Sequence, residues 1–230
     1  MKLLALDTTE KACSAALLID GETRQRLRLE PRAHARLILP MIDELMAEAG
    51  LAPGALDLLA FARGPGSFTG LRIAAGVAQG IAFGADLPVM PVSSLRGLAQ
   101  GVWREHGAER VLAAFDARMN EVYDGAFALF PTMEQEQVMQ ALEPERVSAP
   151  AALDATVFAG RHWVGAGSGW AACPGLGERL KPCASFPDSF SQARDIGACA
   201  LADHFAGIEP VPAEQALPVY LRDRVAMPKV

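Results

Sequence analysis

Cysteine is scarce in this 230-residue chain: Cys13, Cys173, Cys183 and Cys199 are scattered and form no C-x-x-C pair. Such usage excludes a disulfide framework and suits free thiols in a reducing compartment. Basic charge is short as well. With 21 Lys and Arg against 27 Asp and Glu the net charge is −6, so nothing is in excess to hold nucleic acid by neutralising phosphates. Contact with nucleic acid would then depend on a partner. Long apolar runs are also missing. The longest candidate, Ile73 to Ala85, is closed by Arg72 and Asp86 well short of the roughly 18 residues a span needs, and only "LLAL" precedes Asp7, too little for a signal-peptide core. A cytoplasmic protein with no membrane contact is expected. The four histidines, His34, His106, His162 and His204, lie far apart and make no H-x-x-x-H helix, so no metal and no cofactor is expected.

What is present begins with "ARGPGSFTGLRIAAG", where Gly64, Gly66 and Gly70 fall within seven positions. A Walker loop needs a lysine after its second glycine, and neither Gly64 nor Gly66 leads to one. The dinucleotide fingerprint G-x-G-x-x-G fails by one residue, although a helix N-terminus there still attracts an anion. The plainer reading is a tight strand-to-helix turn with Ser67 or Thr69 as cap. No G-x-S-x-G elbow surrounds Ser67, and no base is placed beside it, which argues against a serine peptidase.

The helix behind this loop is apolar around nearly its whole circumference, with Gly76, Gly80 and Gly84 at every fourth position. Glycines inside a helix cost about 1 kcal/mol each against alanine, so a close backbone approach should compensate. "HARLILPMIDELMAEAG" is helical in period, stops at Gly50, and spreads Leu37, Ile38, Leu39, Met41, Ile42, Leu45 and Met46 over about 200° of arc; Pro40 is an alternative start. Each helix thus has a surplus apolar face, covered either by a partner or from within a two-lobed protein. The candidate partner-binding residues are Leu39, Ile42, Met46, Thr69, Arg72, Ile73, Gly76, Gly80 and Phe83.

Along the chain, "KLLALDT" and "CSAALLIDGETRQRLRLE" read as three antiparallel strands with a hairpin at Asp20-Gly21. A helix, the strand "LDLLAFA", the glycine-rich helix, the strand "LPVMPV" and a helix from about Ser94 follow, in the order βββαβαβ. "VLAAFDARMNEVYDGAFALF" begins the same way, with Asp116 in the place of Asp7. Beyond Pro131 the pattern weakens until "SFSQARDIGACALADHF", a helix with Ser189 or Ser191 as N-cap, and an extended, exposed tail. The expectation is an α/β actin-like fold of the ASKHA, RNase H-like kind. Its N-terminal lobe (1–95) is completed by the helix at 189–206, a second, degenerate lobe covers 96–188, and a tail covers 207–230.

In such folds the acid ending the first strand faces a nucleotide cleft. Asp7, Thr8 and Thr9 keep the form of a first phosphate loop, and "VGAGSGW" is a candidate nucleotide turn. Asp116 is followed by Ala117, Arg118 and Met119, however, where D-x-G-x-G would let backbone N–H groups approach phosphate. Asp7, Thr8, Thr9, Asp116, Arg118 and Glu121 therefore read as a vestigial nucleotide cleft, with Arg118 and Glu121 lining it or paired across it. No catalytic residue is assigned.

"LALDTT", "HARLILPMIDELMAEAG", "GPGSFTGLRIA", "DARMNEVY" and "PVYLRDRVA", in this order and spacing, resemble the TsaB (YeaZ) family over most of the chain. The resemblance implies a non-catalytic subunit of the bacterial machinery that installs threonylcarbamoyl on the adenosine beside the tRNA anticodon. It implies pairing with the catalytic TsaD-like subunit through the two apolar helices, work with the ATPase TsaE, and a homodimer when alone. An ATP-dependent small-molecule kinase of the actin-like class is the alternative.

Overall fold

The computed structural model describes residues 1–131, 137–153 and 162–222. Alternating apolar residues lay down β1 (Lys2–Asp7), β2 (Cys13–Ile19) and β3 (Glu22–Arg28) as an antiparallel meander, turned at Asp20 and Gly21, which take the positive φ values of 48° and 89° that a two-residue hairpin requires. Next come α1 (His34–Ala49), β4 (Leu58–Gly64), α2 (Phe68–Ala85) and β5 (Val89–Ser93), giving a sheet in the order β3-β2-β1-β4-β5 with β4 and β5 parallel to β1. Alternate residues of β1 serve two cores. Leu4 and Leu6 meet α1 and α2, while Leu3 and Ala5 meet a helix from the far end of the chain.

After α3 (Ser94–His106), the plan repeats. Strands β6 (Arg110–Arg118), β7 (Glu121–Pro131) and β8 (Gln137–Ala141) form a second meander, β9 (Arg146–Ser148) pairs with β7, and β10 (Val164–Ala166) and β11 (Ala184–Phe186) add in parallel beside β6. The order β8-β7-β6-β10-β11 reproduces that of the first sheet, so the sequence echo between Asp7 and Asp116 is structural. No counterpart of α1 appears among the described residues between β8 and β10; short helices α4 (Gly169–Ala172) and α5 (Gly175–Leu180) replace α2.

The two halves exchange helices. α3 leaves the first sheet but packs Leu95, Leu98, Ala99 and Val102 on the second, and α6 (Ala193–Phe205) leaves the second but packs Ala193, Ile196, Cys199 and Ala200 on the first. The two helices cross closely. A Cβ on Gly97 would meet Ile196 at 2.5 Å, and one on Gly101 would meet Asp195 at 2.9 Å. Around this crossing the Arg104 guanidinium donates two bonds to Asp195, and Arg96 donates to both oxygens of Asp203.

Several local expectations change. Pro40 does not start α1, which runs from His34 through it. α6 begins at Ala193 and is capped by neither Ser189 nor Ser191: Ser14 of β2 accepts from the Ala193 N–H at 2.9 Å, and Gln25 of β3 accepts from Arg194 at 3.0 Å. The tail is not wholly exposed. Val211 pairs with Val89, and Ala213 and Ala216 are buried in the first core; residues 223–230 of the expected tail lie outside the described residues. Among the described residues no helix is long and apolar enough to cross a membrane.

Candidate interlobe cleft and helix face

The loop after β4 and the turn after β1 hold each other. Asp7 Oδ1 accepts from the N–H and the hydroxyl of Thr9 at 2.8 and 2.7 Å, an Asx turn closed by its own neighbour. The Thr8 hydroxyl donates to the Gly70 carbonyl at 2.7 Å, and the Ser67 N–H donates to the Thr9 carbonyl at 2.7 Å. A Cβ on Gly66 would stand 2.5 Å from the Thr9 oxygen and one on Gly70 2.1 Å from the Thr8 oxygen. The glycines are there so that two backbones can touch, and Ser67 caps α2 by accepting from the Gly70 N–H. Asp7, Thr8 and Thr9 are consequently buried under protein where a phosphate loop would be open. Burial pushes the Asp7 carboxyl up against the opposing pull of Ser191 and Thr9, and its Oδ2 makes no well-formed hydrogen bond among the described residues.

On the opposite wall the Asp116 N–H donates to the Ser168 hydroxyl, and Asp116 accepts from the N–H and the guanidinium of Arg118, both at 2.8 Å. Arg118 and Glu121 are backbone neighbours in the hairpin, yet they do not pair through their side chains: Arg118 turns back to Asp116 and Glu121 pairs with Arg222. The hairpin is tight, with Arg118, Met119 and Asn120 all at positive φ between 56° and 64°. The "VGAGSGW" turn is pressed on β6, since a Cβ on Gly167 would lie 2.5 Å from the Ala114 oxygen.

Between these walls lies a cleft of about 670 Å³ whose lining includes Glu10, Lys11, Phe68, Asp116, Ser168 and Tyr220. Glu10, absent from the sequence-derived set, is its electrostatic centre. Burial first, and then the charges of Asp7 and Asp116, raise its carboxyl to about 7 against the help of Ser168 and Lys11. The only sequence signal for it was its place three residues after the acid of β1. Lys11 turns away to the Asp188 carbonyl at 2.7 Å and sits over the Phe190 ring. A phosphate entering here meets the carboxylates of Glu10 and Asp116 and a covered first loop. Among the described residues no three His, Cys, Asp or Glu side chains gather as metal ligands.

On the outer surface, α1 and α2 divide the expected partner residues. Ile42 and Met46 are 5% and 6% exposed and belong to this chain's own core, because α1 lies flat on β2 with Met41 and Leu45 beside them. Leu39 is exposed. Along α2, Gly76, Gly80 and Gly84 face solvent with nothing within 4 Å of an added Cβ, Thr69 and Arg72 are exposed, Ile73 is half-buried, and Phe83 is 84% exposed. Arg72 lies 3.6 Å above the Phe68 ring and donates to the Tyr220 hydroxyl at 3.3 Å. The glycine row of α2 is therefore unused inside the chain, whereas Gly97 and Gly101 of α3, not singled out by periodicity, make the internal close crossing.

Residues 28–153 match the family described as TsaD: tRNA N6-adenosine threonylcarbamoyltransferase. The chain is 40% identical to the tRNA threonylcarbamoyladenosine biosynthesis protein TsaB of Escherichia coli K12, across 100% of its own length and 98% of that protein's. It is 58% identical to the protein of the same description in Haemophilus influenzae over 54% of this chain and 52% of the relative. The solved structure of YeaZ from Pseudomonas aeruginosa superposes with a TM-score of 0.86 at 44% identity, covering 96% of this chain and 99% of that one.

Proposed function

Because the chain belongs to the TsaB (YeaZ) family of tRNA threonylcarbamoyladenosine biosynthesis proteins, we propose that it is a non-catalytic subunit of that modification machinery, docking a TsaD-like catalytic subunit on the outer face of α2. Family membership over the full chain carries the role in the pathway. The docking face rests on the exposed glycine row with Phe83 beside it, a flat apolar strip that the chain's own packing leaves open. Absence of a catalytic role is supported by Gly66 and Gly70 closing over Thr8 and Thr9, and by the carboxylates of Asp7 and Asp116 around that of Glu10, which together also disfavour the kinase alternative. The reading includes two lobes, 1–95 with 189–206 and 96–188, a TsaE-like ATPase as further partner, a homodimer when alone, tRNA contact only within the assembly, and a cytoplasmic site of action. Of the six cleft residues, Asp7, Thr8, Thr9, Asp116, Arg118 and Glu121 keep a structural role on this reading.

The test is Gly80→Leu. A leucine adds four carbons where helix axes approach to about 8 to 10 Å, so affinity for the TsaD-like subunit should fall by about 100-fold, near 3 kcal/mol. The lone protein should melt no lower and, by helix propensity, slightly higher, since the site opens to solvent. Leu39→Glu tests the neighbouring edge of α1 in the same way. Unchanged affinity in both variants, or full modification of tRNA by the other components with this chain omitted, would refute the assignment.

A further inference from the structure

The segment after α6 returns along the first half and then leaves it. Val211 and Val89 exchange N–H bonds of 2.8 Å, Gln79 of α2 reaches the Ala216 carbonyl, and the Val219 N–H donates to the Arg63 carbonyl at 2.8 Å. Gly64, at φ 110°, makes room for this crossing: a Cβ there would lie 2.9 Å from the Val219 oxygen. The Tyr220 ring then packs, tilted by 45°, with its centre 5.8 Å from that of Phe68, and its hydroxyl accepts from Arg72. Two residues later the chain has crossed to the other wall. Arg222, only 15% exposed, pairs with Glu121 at the base of the β6–β7 hairpin and lies against the Met119 sulfur.

Val219 and Leu221 line both the cleft and a second cavity of about 480 Å³ that Arg63, Arg96 and Glu145 also line. The segment is thus a partition within the space between the halves, and not a cover laid over it. Its first-half attachments include backbone bonds, buried alanines and the Tyr220 ring; among the described residues, its polar attachment to the second half runs through Arg222, which meets Glu121 and Met119 on a hairpin of three left-handed residues.

We propose that residues 217–222 are a strap across the cleft, anchored on the first half at Arg63 and Arg72 and fastened to the second by the Arg222–Glu121 pair, so that the chain's own C-terminal segment occupies the cleft until that pair is released. The recognition is that of an extended peptide: one backbone bond sets the register, an aromatic ring and a guanidinium set the specificity. It is independent of which protein docks on α2.

Hydrogen–deuterium exchange of the full chain tests this with Arg222→Glu, Glu121→Arg and the double charge swap. Each single variant should speed exchange of peptides covering 118–122 and 217–222 by about tenfold or more, with peptides of β1 and α3 unchanged, and the swap should restore protection. Arg222→Gln, which removes charge without adding repulsion, should act in the same direction and stands in for a single variant that does not fold. Wild-type exchange in Arg222→Gln, or a charge swap no better protected than the single variants, overturns the strap.

Discussion

Glu10 carries a charge that the fold tolerates poorly. Its carboxyl is raised from the ordinary 4.5 to about 7, so the unfolded chain gives up the proton first, and stability falls as pH rises from about 4.5 to about 7. Asp7, raised by its burial, acts with the same sign. The full shift at Glu10 corresponds to at most about 3 kcal/mol, present above pH 7. Glu10→Gln keeps an oxygen for Ser168 and should stabilise the protein by up to that amount at pH 8 and much less at pH 5, which urea unfolding at the two values measures. A second residue-scale contrast separates the glycines. Gly70→Ala drives a Cβ against the Thr8 carbonyl and should cost about 3 kcal/mol or more, whereas Gly80→Ala meets nothing and should gain about 1 kcal/mol from helix propensity. Their denaturation midpoints should move in opposite directions. From the sequence, only the glycine row of α2 signalled close approach and the Gly64–Gly70 cluster read as a tight turn; within this chain it is the cluster that makes the close approach.

Among the elements, α6 shows how a helix start is set from elsewhere. No side chain at its own N-terminus caps it, and the first two free N–H groups are met by Ser14 and Gln25 from adjacent strands. Ser14→Ala should therefore destabilise the fold by about 1 kcal/mol, as a lost cap does, although the substitution lies nearly 180 residues away in sequence. Chemical denaturation reads the loss, and hydrogen exchange should localise it to the first turn of α6. Helix existence was legible here because the apolar period was strong. The cap was not, because a serine just upstream reads the same whether or not its backbone turns toward the helix. In α1 the period was equally legible and its breadth misleading: Ile42 and Met46 widen the apolar arc because α1 rests flat on a sheet, which buries more of a helix than one crossing helix would.

For the whole molecule, the exchange of α3 and α6 means that neither sheet has a complete core without a helix that begins on the other. The two halves should unfold as one. All three tryptophans, Trp103, Trp163 and Trp170, lie in the second half or on the helix packed against it, while far-UV circular dichroism reports both halves. Leu59→Ala, on the face of the first sheet under α1 and α2, should cost about 2 to 5 kcal/mol and lower the tryptophan and dichroism midpoints equally. A tryptophan midpoint that stayed in place would show that the halves melt separately.

Local chemistry, which the sequence carries by itself, determined the strand meanders, the βββαβαβ order of the first half and its echo at the start of the second, the turn at Asp20-Gly21, the capped start of α2 and the family. Each depends on residues near one another in the chain or on motifs whose spacing is fixed. Tertiary structure alone decided what each surplus feature meets. It put Thr8 and Thr9 against Gly66 and Gly70, turned Arg118 onto Asp116, brought Arg222 across the cleft to Glu121, and placed Glu10 among Asp7, Asp116 and Ser168. Those outcomes follow from burial and from charges brought together across the fold, and neither distance nor local dielectric is encoded in the period of a single segment.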